Sequence, residues 1–154
     1  MIRIYLLLVS ILFSSTSFKT VGSGIAYLVC KSESGRTLFN AELQDIVGIV
    51  EKAELIVDGK KIAFSYEGGD EAFTIFDPHN NVFTLHISGK PNKEFPNSRF
   101  IEFWAIPSSF KIISSDHSNQ KYEFKAKVVG TEPRKNKDLR TPEVIVNCTL
   151  EYKI

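Results

Sequence analysis

A length of 154 residues suggests a single domain, and a hydrophobic fraction of 43% is enough for an ordinary globular core. Twelve Phe and five Tyr residues against a single Met favour a sheet-rich fold over a helix bundle. The formal charge of +1 leaves no global field that would attract nucleic acid, so we expect no nucleic-acid partner.

The start of the chain has the composition of a secretory leader. Arg3 gives it a positive charge, residues 4–13 are almost wholly apolar, and residues 14–17 are small. This order predicts a signal peptide over residues 1–17. The alternative is a retained membrane anchor, but the apolar run is much shorter than the ~20 residues that span a bilayer. We therefore expect a secreted or periplasmic β domain over residues 18–154, with no integral membrane span.

The two cysteines of the chain are Cys30 and Cys148. In an exported protein such a pair predicts one disulfide. Cys30 lies in the first predicted strand and Cys148 in the last, so the bond would join the two ends of the fold. The alternative is a pair of buried free thiols that behave as small hydrophobic residues.

The first half of the mature chain contains several strand patterns. Residues 25–31 are apolar on both faces, which predicts a strand that is covered on both sides. Residues 36–43 alternate as a second strand, and residues 41–54 are interpreted as a loop with at most one helical turn. Asp58-Gly59 between two apolar runs predicts a tight hairpin. A second hairpin is predicted over residues 72–88, with Phe73 and Ile75 facing inward.

The second half continues this pattern of short strands. Residues 98–106 form another doubly apolar strand, and residues 110–113 form a short one. Residues 121–129 and 143–154 alternate cleanly between apolar and polar side chains. Together with the first half this predicts an all-β fold, an antiparallel β-sandwich or closed barrel of nine or ten short strands in one domain.

Residues that could support catalysis or bind a metal are few. There is no G-x-S-x-G motif, and we interpret His79, His86 and His117 as solvated surface residues. Asp77, His79 and Asn81 alternate within one turn and could be imagined as metal ligands. Asp and Asn also favour turns for conformational reasons. We therefore predict no catalytic residue, no metal and no cofactor.

The candidate ligand-binding residues are Phe100, Glu102 and Trp104. They share one face of the strand 98–106, where aromatic rings beside a hydrogen-bonding acid could bind a sugar or a peptide. The alternative is that this row is covered by another part of the sheet. The loops 89–97 and 130–142, the second of which is basic, are the other candidate binding surfaces.

One resemblance follows from the ends of the chain. Tyr27-Leu28-Val29-Cys30 near the start, a cysteine near the end and short strands between them resemble the small secreted barrels that inhibit lysozyme in bacterial envelopes. The inhibitory loop of that family, rich in Ser, Ala and Gly, has no counterpart in this sequence. The resemblance therefore assigns no role to any residue.

The sequence favours an exported, non-catalytic binding module with an unknown protein or glycan partner. One alternative is an envelope enzyme inhibitor or a small hydrolase. A second alternative is a structural or assembly subunit that pairs through a sheet edge, for which an unpaired first or last strand would be the sign.

Overall fold

The computed structural model describes residues 24–44, 49–91, 93, 99–116, 118–131 and 140–153. Within them a single antiparallel sheet of 10 strands curls into a half-barrel. The all-β class and the antiparallel pairing are thus confirmed. The predicted signal peptide, 1–17, lies outside the described residues.

The elements follow one another along the chain with short connections. The strands are β1 (Ile25–Ser32), β2 (Thr37–Gln44), β3 (Val50–Val57), β4 (Lys60–Ser65), β5 (Glu71–Asp77), β6 (Val82–Gly89), β7 (Arg99–Ala105), β8 (Lys111–Ser115), β9 (Asn119–Gly130) and β10 (Val144–Lys153). Short 3-10 turns occur at Pro78–Asn80 and Pro107–Ser109.

The sheet consists of two meanders that lie side by side. Strands β1 to β4 pair in sequence order and form the first meander, while β5, β6, β7, β9 and β10 form the second. β8 pairs with β9, outside this main path. The meanders meet where β1 pairs with β10, so these two strands lie in the middle of the sheet. β4 and β5 are the two ends of the strand order.

The disulfide lies at the junction of the two meanders. Cys30 and Cys148 are directly opposite each other in the β1–β10 ladder, with their Cα atoms 4.1 Å apart. Their bond joins positions 118 residues apart in the sequence. The predicted proximity of the two ends of the fold is therefore confirmed.

The predicted hairpins form for the backbone reasons that the sequence indicated. Asp58 and Gly59 have φ values of 51° and 77°, the positive values that a two-residue hairpin turn requires. In the β5–β6 hairpin, Asp77 caps the short 3-10 turn by accepting a hydrogen bond from the Asn80 backbone. Asn81 then takes the left-handed conformation that returns the chain into β6.

One hydrophobic core fills the inner face of the curled sheet. The ring centroid of Phe103 in β7 lies 5.2 Å from that of Phe39 in β2 and 5.5 Å from that of Phe83 in β6. Gly130 lets the first meander approach β9, because a Cβ atom there would lie 2.6 Å from Leu55 Cδ2. The inner faces of the two meanders therefore pack against each other.

The prediction that the strand at 25–31 is covered on both sides is wrong. The side chains of β1 alternate between buried and exposed, and Tyr27 and Val29 are 46% and 57% exposed. The outer residues of β7 are likewise only half-buried. A single curled sheet buries one face of each strand, so apolar residues on the other face remain accessible to solvent.

The prediction of a loop up to residue 54 is also wrong, because β3 begins at Val50. Its ladder with β2 buries Val50 and Ala53 in the core. Residues 45–48 of the predicted loop lie outside the described residues. The β-branched residues that opposed a helix in this region favour a strand once β2 offers it a partner.

The inward orientation expected for Phe73 and Ile75 is wrong as well. Phe73 pairs with His86 and Ile75 pairs with Thr84, so both share the outer face with these polar residues. They are 63% and 45% exposed. Their neighbour Phe76 packs inward instead, with its ring centroid 5.1 Å from that of Tyr122.

A buried ion pair joins the start of β7 to the connection between β4 and β5. The Arg99 guanidinium donates hydrogen bonds to the Ala63 carbonyl and, at 2.6 Å, to the Asp70 carboxylate. It also lies 5.0 Å from the ring centroid of Phe64. Asp70, whose side chain is 4% exposed, accepts a further hydrogen bond from the Ser65 backbone. We call this group the Arg99 clasp.

Candidate functional site: the outer face of β5, β6 and β7

Three neighbouring strands of the second meander place aromatic and polar side chains on one accessible surface. Directly paired residues of antiparallel strands point to the same side of the sheet, so the side chains form rows across the strands. One row consists of Phe73, His86 and Glu102, and the next of Ile75, Thr84 and Trp104. We call these six residues the β5–β7 outer face.

A shallow depression of about 240 Å³ lies on this face. Phe73 on β5 and Trp104 on β7 both line it, from strands that lie about two strand spacings or ~10 Å apart. Between them β6 contributes Thr84 and the exposed His86. The surface therefore offers an aromatic side chain on each side and hydrogen-bonding groups between them.

The three predicted binding residues all lie on the outer face of β7, at alternate positions and half-buried. They are thus not part of the closed core. Arg140 forms an ion pair with Glu102, and its guanidinium lies 5.8 Å from the ring centroid of Phe100. Arg140 therefore occupies the Phe100 end of the row, whereas Trp104 lines the depression.

Phe73 and Ile75 are the two residues of this surface for which the wrong face was predicted. A signal was available in the hairpin connection, because the four residues between Asp77 and Val82 fix the register of β5 against β6. Counting back from that pair places Phe73 opposite His86, which the sequence analysis already placed outside. The apolar character of β5 on both faces concealed this signal.

In the described part of the chain, the histidine and acidic side chains are not brought together as a catalytic group. His86 lies across from Glu102, but the Glu102 carboxylate is held by Arg140. His79 is exposed in the β5–β6 turn, and His117 lies outside the described residues. Within the described ranges no group of three or more His, Cys, Asp or Glu side chains could hold a metal ion.

Asp77, one of the three turn residues considered above as metal ligands, stabilises the β5–β6 turn. The side-chain amide of Asn80 donates a 2.7 Å hydrogen bond to the Asp77 carboxylate. This bond, together with the Asn80 backbone N–H, holds the pKa of Asp77 below its ordinary value of 3.8. Asp77 is therefore an ionised cap for the turn across most of the pH range.

A larger depression, of about 400 Å³, lies on the outer face of the first meander. Tyr27, Val29 and Phe64 are among its apolar lining residues, and charged side chains such as Lys52 and Glu54 line it as well. Glu54 forms an ion pair there with Lys61. Two of its charged groups are thus neutralised within the chain, and none of the three predicted binding residues lines it.

In comparisons with known proteins, no family model, no curated protein and no solved structure matches this chain. In the described part of the chain, none of the helices has the length and apolar character needed to cross a membrane.

Proposed function

We propose that this chain is an exported, non-catalytic binding module that takes its ligand on the β5–β7 outer face. The two meanders act as the layers of a β-sandwich and hold that face rigid. The observation that carries the proposal is the depression lined by Phe73 and Trp104, because an accessible apolar concavity with aromatic side chains in its lining is typical of a binding surface.

The compartment follows from the leader pattern and the cysteine pair. A leader-like segment at residues 1–17 and two cysteines at bonding distance are both typical of secreted or periplasmic proteins. An exported location gives the disulfide an oxidising environment in which it persists.

The ligand chemistry follows from the groups on the surface. Phe73 and Trp104 present apolar ring faces, while Thr84 and His86 can donate and accept hydrogen bonds. A matching ligand has apolar faces separated by polar groups, as in a sugar chain or an extended peptide. No specific observation on this surface favours the inhibitor alternative or the hydrolase alternative.

Trp104 is the only tryptophan of the chain, so its fluorescence reports directly on this surface. We expect its emission to shift, and the shift to saturate, in titrations with members of a panel of soluble oligosaccharides and extended peptides. Substituting Phe73→Ala should weaken binding of the same ligand about tenfold in calorimetry, because one aromatic contact is lost.

Val29→Ala is the matched control, since Val29 is a similarly exposed apolar residue on the outer face of β1. It should leave the affinity unchanged. The proposal fails if Phe73→Ala and Val29→Ala bind the ligand equally well. It also fails if the purified protein turns over any glycan, ester or peptide of the panel.

A further inference from the structure

The β5–β7 outer face ends at β5, a strand with one unpaired edge. β5 pairs with β6 on one side, and no strand in the described part of the chain pairs with its other side. A strand in this position presents free backbone N–H and C=O groups along its length. Among the described residues, the aromatic surface of Phe73 is therefore continuous with a row of backbone groups that no other strand pairs with.

The sequence of β5 lacks the usual protection of an edge strand. Its five central residues, 72–76, carry no charge, and Phe73 and Ile75 are exposed on its outer face. Lysine or proline commonly blunts such edges, and β5 contains neither. The two charges of β5 are both negative and lie at its ends, at Glu71 and Asp77.

The opposite edge of the sheet, β4, is built differently. It begins with Lys60 and Lys61, and the carbonyl of Ala63 near its middle already accepts a hydrogen bond from Arg99. A strand that paired with β4 would have to displace the Arg99 clasp. Of the two edges in the strand order, β5 is the one whose middle is open.

We propose that the ligand of this protein is an extended polypeptide segment that adds to the sheet as a strand beside β5. Its backbone would bond to the free edge, and alternate apolar side chains would cover Phe73 and Ile75. Basic residues at its two ends would face Glu71 and Asp77. This inference deepens the proposed function and rests on it, because it uses the same surface.

A second copy of this chain fits the edge less well than a foreign segment does. Two β5 strands that pair antiparallel over their full length would place Glu71 of each opposite Asp77 of the other. Like charges in directly opposed positions destabilise a ladder, and here this would happen at both ends. Pairing with the β4 edge of a second copy is opposed by the hydrogen bond between Arg99 and Ala63.

The probe for this inference is an end-capped synthetic peptide with the sequence Lys-Lys-Thr-Val-Thr-Val-Thr-Lys-Lys, labelled with fluorescein, in which the lysines that face Glu71 and Asp77 share a face with the two valines. Binding to the full protein is measured by fluorescence anisotropy. One control peptide replaces the four lysines by glutamate, and another replaces the central threonine by proline, which removes a backbone donor. We expect the lysine-flanked peptide to bind at least about tenfold more tightly than either control.

Substitutions on β5 test where the peptide binds. Phe73→Lys introduces a charge of the kind that prevents pairing at natural edge strands, and it removes an apolar contact. It should therefore weaken peptide binding at least about tenfold. Glu71→Lys should weaken binding of the lysine-flanked peptide about twofold and strengthen binding of the glutamate-flanked peptide. Val29→Lys, at an exposed apolar position of the central strand β1, is the matched control and should have no effect.

Backbone hydrogen exchange distinguishes strand addition from binding through side chains alone. In the free protein, every second amide of β5 should exchange rapidly because it points away from β6. The bound peptide should slow the exchange of these amides and leave those of β1 unchanged. Bound peptide without slower exchange in β5 would overturn the inference, and so would equal binding by Phe73→Lys and the wild type.

The two proposals fail in different ways. If oligosaccharides shift the Trp104 emission and no peptide binds, the binding surface stands and the polypeptide inference is wrong. If the peptide protects β5 and the Trp104 emission is unchanged, strand addition stands and the depression is not its binding surface. If size-exclusion shows concentration-dependent dimers that Phe73→Lys abolishes, the occupant is a second copy and the inference of a foreign segment is wrong.

Discussion

At the scale of single residues, Arg99 has the greatest structural consequence. Its side chain lies at the start of β7 but bonds to Ala63 and Asp70, on and just after β4. Both partners of the Arg99–Asp70 ion pair are largely buried, with side chains 15% and 4% exposed. A buried carboxylate is costly when it loses its charged partner, so the pair contributes to stability only while both members are present.

We expect Arg99→Met to destabilise the folded state by about 3 kcal/mol, because it leaves the Asp70 carboxylate buried and unpaired. Urea unfolding at constant pH measures the difference. Arg36→Met is the control, since its ion pair with Asp58 is well exposed and should contribute less than about 1 kcal/mol. If Asp70→Asn added to Arg99→Met brought no recovery, the unpaired carboxylate would not be the cause.

The sequence could not have indicated the role of Arg99. Arg99 and Asp70 are 29 residues apart, and the charge pattern contains many other possible ion pairs. What selects this one is the approach of β7 to β4 in the curled sheet. The face of Trp104, in contrast, follows from simple alternation along β7, and only its exposure required the structure.

At the scale of elements, the ladder between β9 and β10 carries an ion pair at directly opposed positions. Lys121 donates a 2.8 Å hydrogen bond to the Glu151 carboxylate. This bond and the charge of Lys121 lower the pKa of Glu151 below its ordinary value of 4.5. The same bond and the charge of Glu151 raise the pKa of Lys121. Because the pKa of Glu151 is lower in the folded state, its contribution to stability is present above pH 4.5 and is lost as the pH falls through the folded-state pKa.

We expect Lys121→Met to raise the pKa of Glu151 back toward 4.5, because the main cause of the shift is removed. Carbon-detected NMR of the Glu151 carboxyl measures this directly during an acid titration. Lys52→Met, on β3, should leave the Glu151 titration unchanged. An unaltered Glu151 titration in Lys121→Met would show that the hydrogen bond does not form in solution.

Elements with strong local signals were predicted well. Asp58-Gly59 fixed one hairpin, and the turn at Pro78–Asn80 fixed another, because each turn determines its own backbone geometry. The start of β3 was missed because residues 41–54 have no clear alternation of their own, and Val50 joins a strand through its pairing with β2. The orientation of β5 was missed because both of its faces are apolar, so alternation alone could not identify the inner one.

At the scale of the whole molecule, two features of the described residues join the meanders in addition to the packing of their inner faces. One is the β1–β10 ladder with its disulfide, and the other is the Arg99 clasp. The sequence predicted the first from the positions of Cys30 and Cys148. It could not predict the full strand order, because pairing between strands that are distant in sequence depends on packing rather than on local pattern.

Replacing both Cys30 and Cys148 by alanine should lower the free energy of unfolding by about 4–5 kcal/mol, since a loop of 118 residues is no longer closed in the unfolded chain. Urea unfolding of the double variant and of the oxidised wild type provides the comparison. The wild type unfolded and measured in dithiothreitol is the control and should resemble the variant. Equal stability of the oxidised wild type and the double variant would contradict the expectation.

The central position of β1 and β10 also has a consequence for the folding pathway. Each meander can form from neighbouring segments, but the step that unites them must first bring together segments 118 residues apart. Such a high contact order makes the docking step slow. Until it occurs, both half-sheets expose their apolar inner surfaces, and this is the stage at which aggregation competes most strongly with productive folding.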